Sequence, residues 1–247
     1  MTSLFLFALI KFILYIQYME EKDRRKVWFT SDLHFTHSSI LYFHPWRRDA
    51  CGISLEELQE DKQIALEKHD QWLIEKWNST VRKPDEVYFL GDFCFGNRER
   101  TEEILRQLKG RKHLILGNHD KSLHGLENYF ESVSQIKEVK FTNNQFKFID
   151  PNETFCAELC HYPMLTWNRR PHGTCMIHGH CHGSLDGFNS LSNELRVDVG
   201  LDSALWGHEF VEVEQLYKYM CDIRDAAGCK TFQEYQEWLM ENQGFRM

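Results

Sequence analysis

Aspartate, asparagine and histidine recur along this chain in short clusters, each behind an apolar run. Asp32-Leu33-His34 follows VWFTS, Gly91-Asp92 follows VYFL, and Gly117-Asn118-His119-Asp120 follows HLIL. His178-Gly179-His180-Cys181-His182 follows TCMI, and His161 stands alone in Cys160-His161-Tyr162-Pro163. These hard or borderline oxygen and nitrogen donors suit divalent Mn, Fe, Zn, Co or Ni rather than a thiolate site or a calcium cage. Asp32, His34, Asp92, Asn118, His161, His180 and His182 together exceed what one four-coordinate ion requires. Two ions sharing a carboxylate is the economical inference, and ions about 3.5–4 Å apart are the arrangement that cleaves phosphate esters.

Such clusters need elements to aim them. In an extended segment residues i and i+2 point to one side, so Asp32 and His34 are expected to reach the same ion. Gly91 frees the backbone to turn at a strand end. Ligand sites in open α/β sheets form beyond the carboxyl ends of strands, which would gather the first three clusters. His161 and the 178–182 run must be delivered by the second half of the chain.

Short β-rich runs alternating with helical stretches predict a layered α/β or α+β domain. Strands are expected at Val27 to Thr30, Glu86 to Leu90 and His113 to Leu116, then around Phe146 to Ile149, Phe155 to Leu159, Thr174 to Ile177 and Leu195 to Val199. An antiparallel portion fits this second group. Ser54 and Glu57 form the S-x-x-E pattern ahead of one long helix from about Leu55 to Trp77, with Leu55, Leu58, Ala65 and Trp72 as inward candidates. A second helix is expected from about Arg98 to Lys109, capped by Asn97 and closed by a left-handed Gly110. Thr231 and Glu234 repeat the capping pattern before Tyr235, Trp238 and Leu239, so the tail is expected to be amphipathic helix.

Taken in order, DLH at 32, GD at 91, GNHD at 117, His161 in CHYP and GHCH at 179 resemble the five motifs of the calcineurin-like metallophosphoesterases, from about Val27 to Asp202. The resemblance implies an α/β fold, a two-layer mixed β-sheet sandwich flanked by helices, with two divalent ions at one edge and manganese favoured. It would put Asp32, His34 and His182 on one ion, Asn118, His161 and His180 on the other, and Asp92 between them. His119 would be the general acid or transition-state donor, with Asp120 orienting its ring. The activity implied is hydrolysis of phosphomonoesters or phosphodiesters by in-line attack of a hydroxide bridging the ions. Two dications against Asp32, Asp92 and that hydroxide leave about one net positive charge, which attracts a phosphate anion. Two departures stand out: Phe93, Cys94 and Phe95 follow GD where many members have an acidic residue, and Cys181 is the spacer where Ser or Thr is commoner.

Other residues carry two readings each. His37 either contacts substrate phosphate or makes a helix-start hydrogen bond. His178 either supports the site from behind or is a packed histidine. Arg47, Arg48, Arg169 and Arg170 either are solvated charge pairs or include one that reaches the substrate, raised only because they lie in loops after metal motifs. Cys181 in an extended stretch points away from its flanking histidines and is not expected to be a ligand.

Composition narrows the function. With 247 residues, 42% hydrophobic content and a net charge of −8, disordered, collagenous and small disulfide-scaffold chains are excluded. The acidic balance argues against a protein built mainly to hold duplex DNA, so a nuclease ranks behind a small, nucleotide-type ester as the expected substrate. A non-catalytic scaffold of the same fold would be expected to have lost ligands, above all His119, and every position is filled. Eight cysteines without a C-x-x-C pair read as free thiols of a reducing, cytoplasmic compartment.

The N-terminus stands apart. From Leu4 to Ile16, 12 of 13 residues are apolar, interrupted by Lys11. Such a helix spans about 20 Å against the roughly 30 Å hydrocarbon core, and no small-residue cleavage site follows it. Residues 1–18 therefore read as a spurious upstream start, a membrane anchor that would leave the catalytic part cytoplasmic, or a docked apolar helix. Met19 opens a natural soluble start for a single domain over 19–247 that ends in helices.

Overall fold

The computed structural model describes residues 24–192 and 194–242, with isolated positions 7 and 11. The expectation for the 1–18 extension lies outside the described residues, those two positions apart. Among the described residues, no helix is long and apolar enough to cross a membrane. All eight cysteines are free thiols.

Strands run in the order β1 Val27–Thr30, β2 Glu86–Phe89, β3 Arg111–Ile115, β4 Ser132–Ser134, β5 Ile136–Thr142, β6 Thr154–Cys160, β7 Cys175–His178, β8 Arg196–Asp198 and β9 Val211–Glu212. They form two sheets, one ordered β4-β3-β2-β1-β9 and the other β5-β6-β7-β8. In the first, β1, β2, β3 and β4 are parallel and β9 is antiparallel to β1; in the second, β5 is antiparallel to β6, and β6, β7 and β8 are parallel. This is the expected mixed sandwich. Each sheet brings the carboxyl ends of its parallel strands to a rim, and the bridge between Ser31 and Gly200 ties the two rims together.

The helices are α1 Ile40–Phe43, α2 Pro45–Ala50, α3 Leu55–Glu60, α4 Lys62–Thr80, α5 Arg98–Gln107, α6 Asp186–Ser192, α7 Val213–Ala226 and α8 Phe232–Asn242. Period-two alternation decides what each strand face meets. Tyr88 and Leu90 point inward with Phe29 and Ile115, against Leu159, Ile177 and Val197 of the second sheet, and α7 and α8 add Leu216, Met220, Tyr235 and Leu239. Val87 and Phe89 point outward onto Leu73, Ile74 and Trp77 of α4 and Ile104 and Leu105 of α5. Each such side chain contributes about 1.5–3 kcal/mol by leaving water.

Four expectations fail locally. The long helix is two, because Asp61 leaves helical geometry at φ −141° and its carboxylate accepts from the amides of Gln63 and Ile64, capping α4 instead of continuing α3. Leu58 and Ala65 are buried as expected, but Leu55 is 41% exposed and Trp72 only half-buried. The segment Phe146 to Ile149 is a turn closed by Phe146 N donating to Thr142 O, although both end residues are buried. The strand there is β5, whose outward Glu138 and Lys140, with Lys137 at the end of its inward face, disguise an edge strand. Finally, α5 stops at Gln107, short of Lys109.

Candidate metal centre

Five clusters converge on the shared rim. The first two are stitched together by backbone: Asp32 N donates to Gly91 O at 2.9 Å and His34 N to Asp92 O at 3.1 Å. This stretch is not the extended ladder expected. Asp32 and His34 have φ of 56° and 55°, Asp92 60°, His180 68° and His182 49°, so most candidate ligands sit in the left-handed region. Each such conformation costs about 1–3 kcal/mol, and residues of this kind concentrate at working sites. Gly179 allows a close approach: a Cβ there would lie 2.6 Å from Asp32 Oδ2, the oxygen that accepts from His180 N at 2.9 Å.

Three imidazoles have Nδ1 occupied and Nε2 turned inward. His161 Nδ1 pairs with Leu90 O at 2.6 Å, His182 Nδ1 with Asp202 Oδ2 at 2.6 Å, and His34 Nδ1 with His37 Nδ1 at 2.9 Å. The ring nitrogens left over face carboxylates at distances too long for hydrogen bonds. His34 Nε2 and His182 Nε2 each lie 3.8 Å from Asp32 Oδ1. Asp92 turns Oδ2 to His34 Nε2 at 3.6 Å and Oδ1 to His161 Nε2 at 3.5 Å. Asn118 Oδ1 is 3.1 Å from His161 Nε2. His180 lies on the open side, its ring 5.0 Å from that of His161 and 4.7 Å from Tyr162. Three three-donor groups result among the described residues: Asp32 with His34 and His182, Asp32 with Asp92 and His161, and, beside them, His44 with His182 and Asp202.

These residues fit divalent ions. Asp32 Oδ1 and His34 Nε2 are buried without a hydrogen-bond partner, which is costly unless something else satisfies them. Donors held at about 2.1 Å from a common ion stand about 3–4 Å apart, the spacing seen here. Burial raises the Asp32 carboxyl, but neighbouring His34, His182 and His161 outweigh it and hold it at about 2, ionised. Burial lowers His34, despite Asp32, toward the neutral imidazole that binds metals.

The family profile described as calcineurin-like phosphoesterase matches residues 25–212. The chain belongs to this family. The Gene 66 protein of Mycobacterium phage D29 is 28% identical over 218 residues, 81% of this chain and 98% of the phage protein. The Gene 66 protein of Mycobacterium phage L5 is also 28% identical, over 230 residues, 83% of this chain and 98% of its own. The uncharacterized protein MJ1445 of Methanocaldococcus jannaschii is 29% identical over 197 residues, 78% of this chain and 90% of that one. The crystal structure of the protein of unknown function AQ665 from Aquifex aeolicus shares the fold at a TM-score of 0.52 and 19% identity, over 79% of this chain and all of that one.

This calcineurin-like phosphoesterase departs from the sequence expectations behind its ligands. Asp120 does not orient the His119 ring: its carboxylate accepts from the amides of Asp92, Phe93 and Gly117 at 3.1, 2.8 and 2.7 Å, fastening two ligand loops together. His119, exposed, packs instead near Phe95, ring centres 4.6 Å apart, and its amide donates to Asp92 Oδ1. Phe95, where an acidic residue was the commoner expectation, also stacks on His37 at 3.9 Å. His37 Nδ1 reaches His34, its carbonyl accepts from Ile40 N at 3.3 Å where α1 begins, and burial with nearby His34 and His119 pushes it down to about 4. His178 is fully buried between Gly179 O and Asn189, a packed histidine.

Arg47 is the largest correction. It is fully buried, not solvated: Nη1 and Nη2 donate to Leu33 O and Asp32 O, and Nε and Nη2 grip Asp202 at 2.8 and 2.7 Å. Arg170 is likewise buried and paired with Glu194. Sequence reading missed Asp202 and also Asp198, which accepts from Gly183 N and Gly200 N beneath Asp32. Burial and the Asp32 charge raise Asp198 to about 7.

Proposed function

We propose that this protein is a metal-dependent phosphoesterase holding two divalent ions and cleaving small phosphate esters. The observation that carries the reading is Asp92, whose two carboxylate oxygens face two different imidazole nitrogens, His34 Nε2 at 3.6 Å and His161 Nε2 at 3.5 Å. On this reading Asp32, His34 and His182 hold one ion, and Asn118, His161 and His180 hold the other, with Asp92 shared. Manganese is the favoured metal. Bound divalent ions supply positive charge that draws in the phosphate and acidifies coordinated water.

The chain's own groups do the rest. His119, exposed at the rim beside Phe95, donates a proton to the departing alcohol oxygen. Asp120 keeps that turn in place through its three backbone amides. His37 fixes the His34 ring from behind. Buried Arg47 stabilises the carbonyl-lined loop that presents Asp32.

The test is metal analysis after gentle purification, followed by a panel of chromogenic mono- and diesters with Mn, Fe, Zn, Co and Ni. Turnover that chelation abolishes and re-addition restores is expected. Protein that retains none of these metals and cleaves none of these esters overturns the reading.

A further inference from the structure

Each sheet has two edge strands, and three of these four edges are short: β9 has two residues, and β4 and β8 have three each. The fourth, β5, has seven. Short edges are one way a protein keeps its sheets from pairing with another chain, whereas a long, regular edge is a template for such pairing. Every residue of β5 from Ile136 to Thr142 faces a partner in β6, without a bulge to twist the edge away. The strand contains no proline or glycine. Among the described residues, none hydrogen-bonds to its outer backbone edge before Thr142, whose amide and carbonyl pair with Gln145 in the following turn. Ile136, at the opposite end, is 49% exposed.

The sequence of this edge selects its occupant. An antiparallel partner of identical sequence pairs all seven residues in one register alone, the one centred on Val139. That register sets Glu138 opposite Lys140 and Ile136 opposite Thr142, each twice, with Val139 opposite its own copy and Lys137 opposite Phe141. Side chains alternate between faces, so Glu138 and Lys140 share the outward one. Within one chain they already meet, Lys140 Nζ lying 2.8 Å from Glu138 Oε1. Two such pairs across a two-fold axis form a square in which each charge has opposite charges at both adjacent corners. Opposite charges directly across two strands are stabilising, and like charges there are destabilising. An edge of one sign would repel its copy; this edge complements it.

We propose that β5 is the interface of a symmetric homodimer, in which two copies join edge to edge into one sheet ordered β8-β7-β6-β5-β5-β6-β7-β8. The main-chain ladder supplies the adhesion, and the charge pattern fixes the register. A two-fold contact of this kind is self-complementary and closes after two copies, which leaves the short edges outermost. Strand direction alternates from β6 through the two β5 strands to the second β6, so the two β6 strands run antiparallel. Their carboxyl ends, and with them the two metal rims, point to opposite ends of the joined sheet. Each copy therefore keeps its own centre complete.

The test is sedimentation equilibrium of the full-length protein over its soluble concentration range, with circular dichroism to confirm that each variant folds. The wild type is expected to dimerise. Glu138→Lys places lysine opposite lysine at two positions, and Lys140→Glu places glutamate opposite glutamate; each is expected to raise the dimer dissociation constant at least tenfold. The two single variants are independent, so either decides the matter should the other misfold. The double variant Glu138→Lys/Lys140→Glu exchanges the charges and restores the square, and its dissociation constant is expected to return to within about threefold of wild type. A protein that is monomeric throughout, a dimer indifferent to the folded single variants, or a double variant no tighter than the singles overturns the proposal.

Discussion

Asp202 Oδ2 lies 2.6 Å from His182 Nδ1, and this contact selects the face of the imidazole that the site can use. With Nδ1–H donated to the carboxylate, the lone pair sits on Nε2, which faces Asp32 Oδ1. Asp202 is itself fixed by the Arg47 fork and by Trp46 Nε1 at 2.9 Å. Burial works to raise its carboxyl, while Arg47 and His182 hold it well below the usual carboxylate range. His182 moves the other way, its desolvation outweighed by Asp202.

Asp202→Asn is therefore expected to weaken metal binding about 10–100-fold, the usual effect of removing a ligand's hydrogen-bonded carboxylate. It also leaves the buried Arg47 guanidinium without its counter-charge, a loss of about 3–5 kcal/mol in comparable buried pairs. Metal titration and urea unfolding measure the two effects. Wild-type metal affinity in this variant would remove Asp202 from the site.

Asp92→Asn tests the shared carboxylate. It is expected to lower bound metal from two ions to one or none and to abolish ester cleavage, both read on the same sample by elemental analysis and initial rates. A fully active variant refutes the two-ion reading.

His119→Gln separates proton donation from metal holding. Metal content should stay at the wild-type level while kcat falls about 10²–10⁴-fold, the range for losing a general acid. Esters with good leaving groups, which need less protonation, should suffer least. Normal turnover of a poor-leaving-group ester would remove His119 from the reaction.

Acid should expose the Asp32 and Asp202 carboxyls in the chelated protein. Asp32 rests at about 2 in the fold against an ordinary 3.8, and Asp202 is also lowered. A lowered carboxyl stabilises the fold above its unfolded value and loses that contribution as pH falls through the folded one, so the window runs from about pH 4 down to about 2. His178, held at about 4, and Asp198, at about 7, titrate mostly above it. Urea unfolding from pH 6 to 2 should show the stability gap between wild type and Asp202→Asn closing below pH 4. A constant gap across that range contradicts the assignment.

Much of this architecture was legible from the chain. Val27 to Thr30 is legible to the residue because its short β-rich apolar run is bounded by a polar cluster, and the caps at Asn97, Ser54 and Thr231 each accept the expected amide. The donor clusters behind the strands also meet, since parallel strands in register deliver their carboxyl ends to one rim. What escaped was non-local. Nothing near Arg47 reveals that its partner lies 155 positions away. Asp120 follows His119 directly, yet its carboxylate turns to backbone amides that only the folded loops bring near. The break at Asp61 was a competition between helix continuation and capping, and the cap won. Left-handed geometry at aspartate and histidine leaves no trace in residue type, because the constraint comes from the neighbouring loop.

That 155-residue separation also governs when the rim can form. As the polypeptide leaves the ribosome, Arg47 emerges early and stays without its anion until the segment around Asp202 is translated. The strand ends of the first sheet thus acquire their working shape late, once the closing loop of the second sheet arrives. A nascent chain stalled before that point would hold Arg47 against the carbonyls of Asp32 and Leu33 with its carboxylate partner still missing.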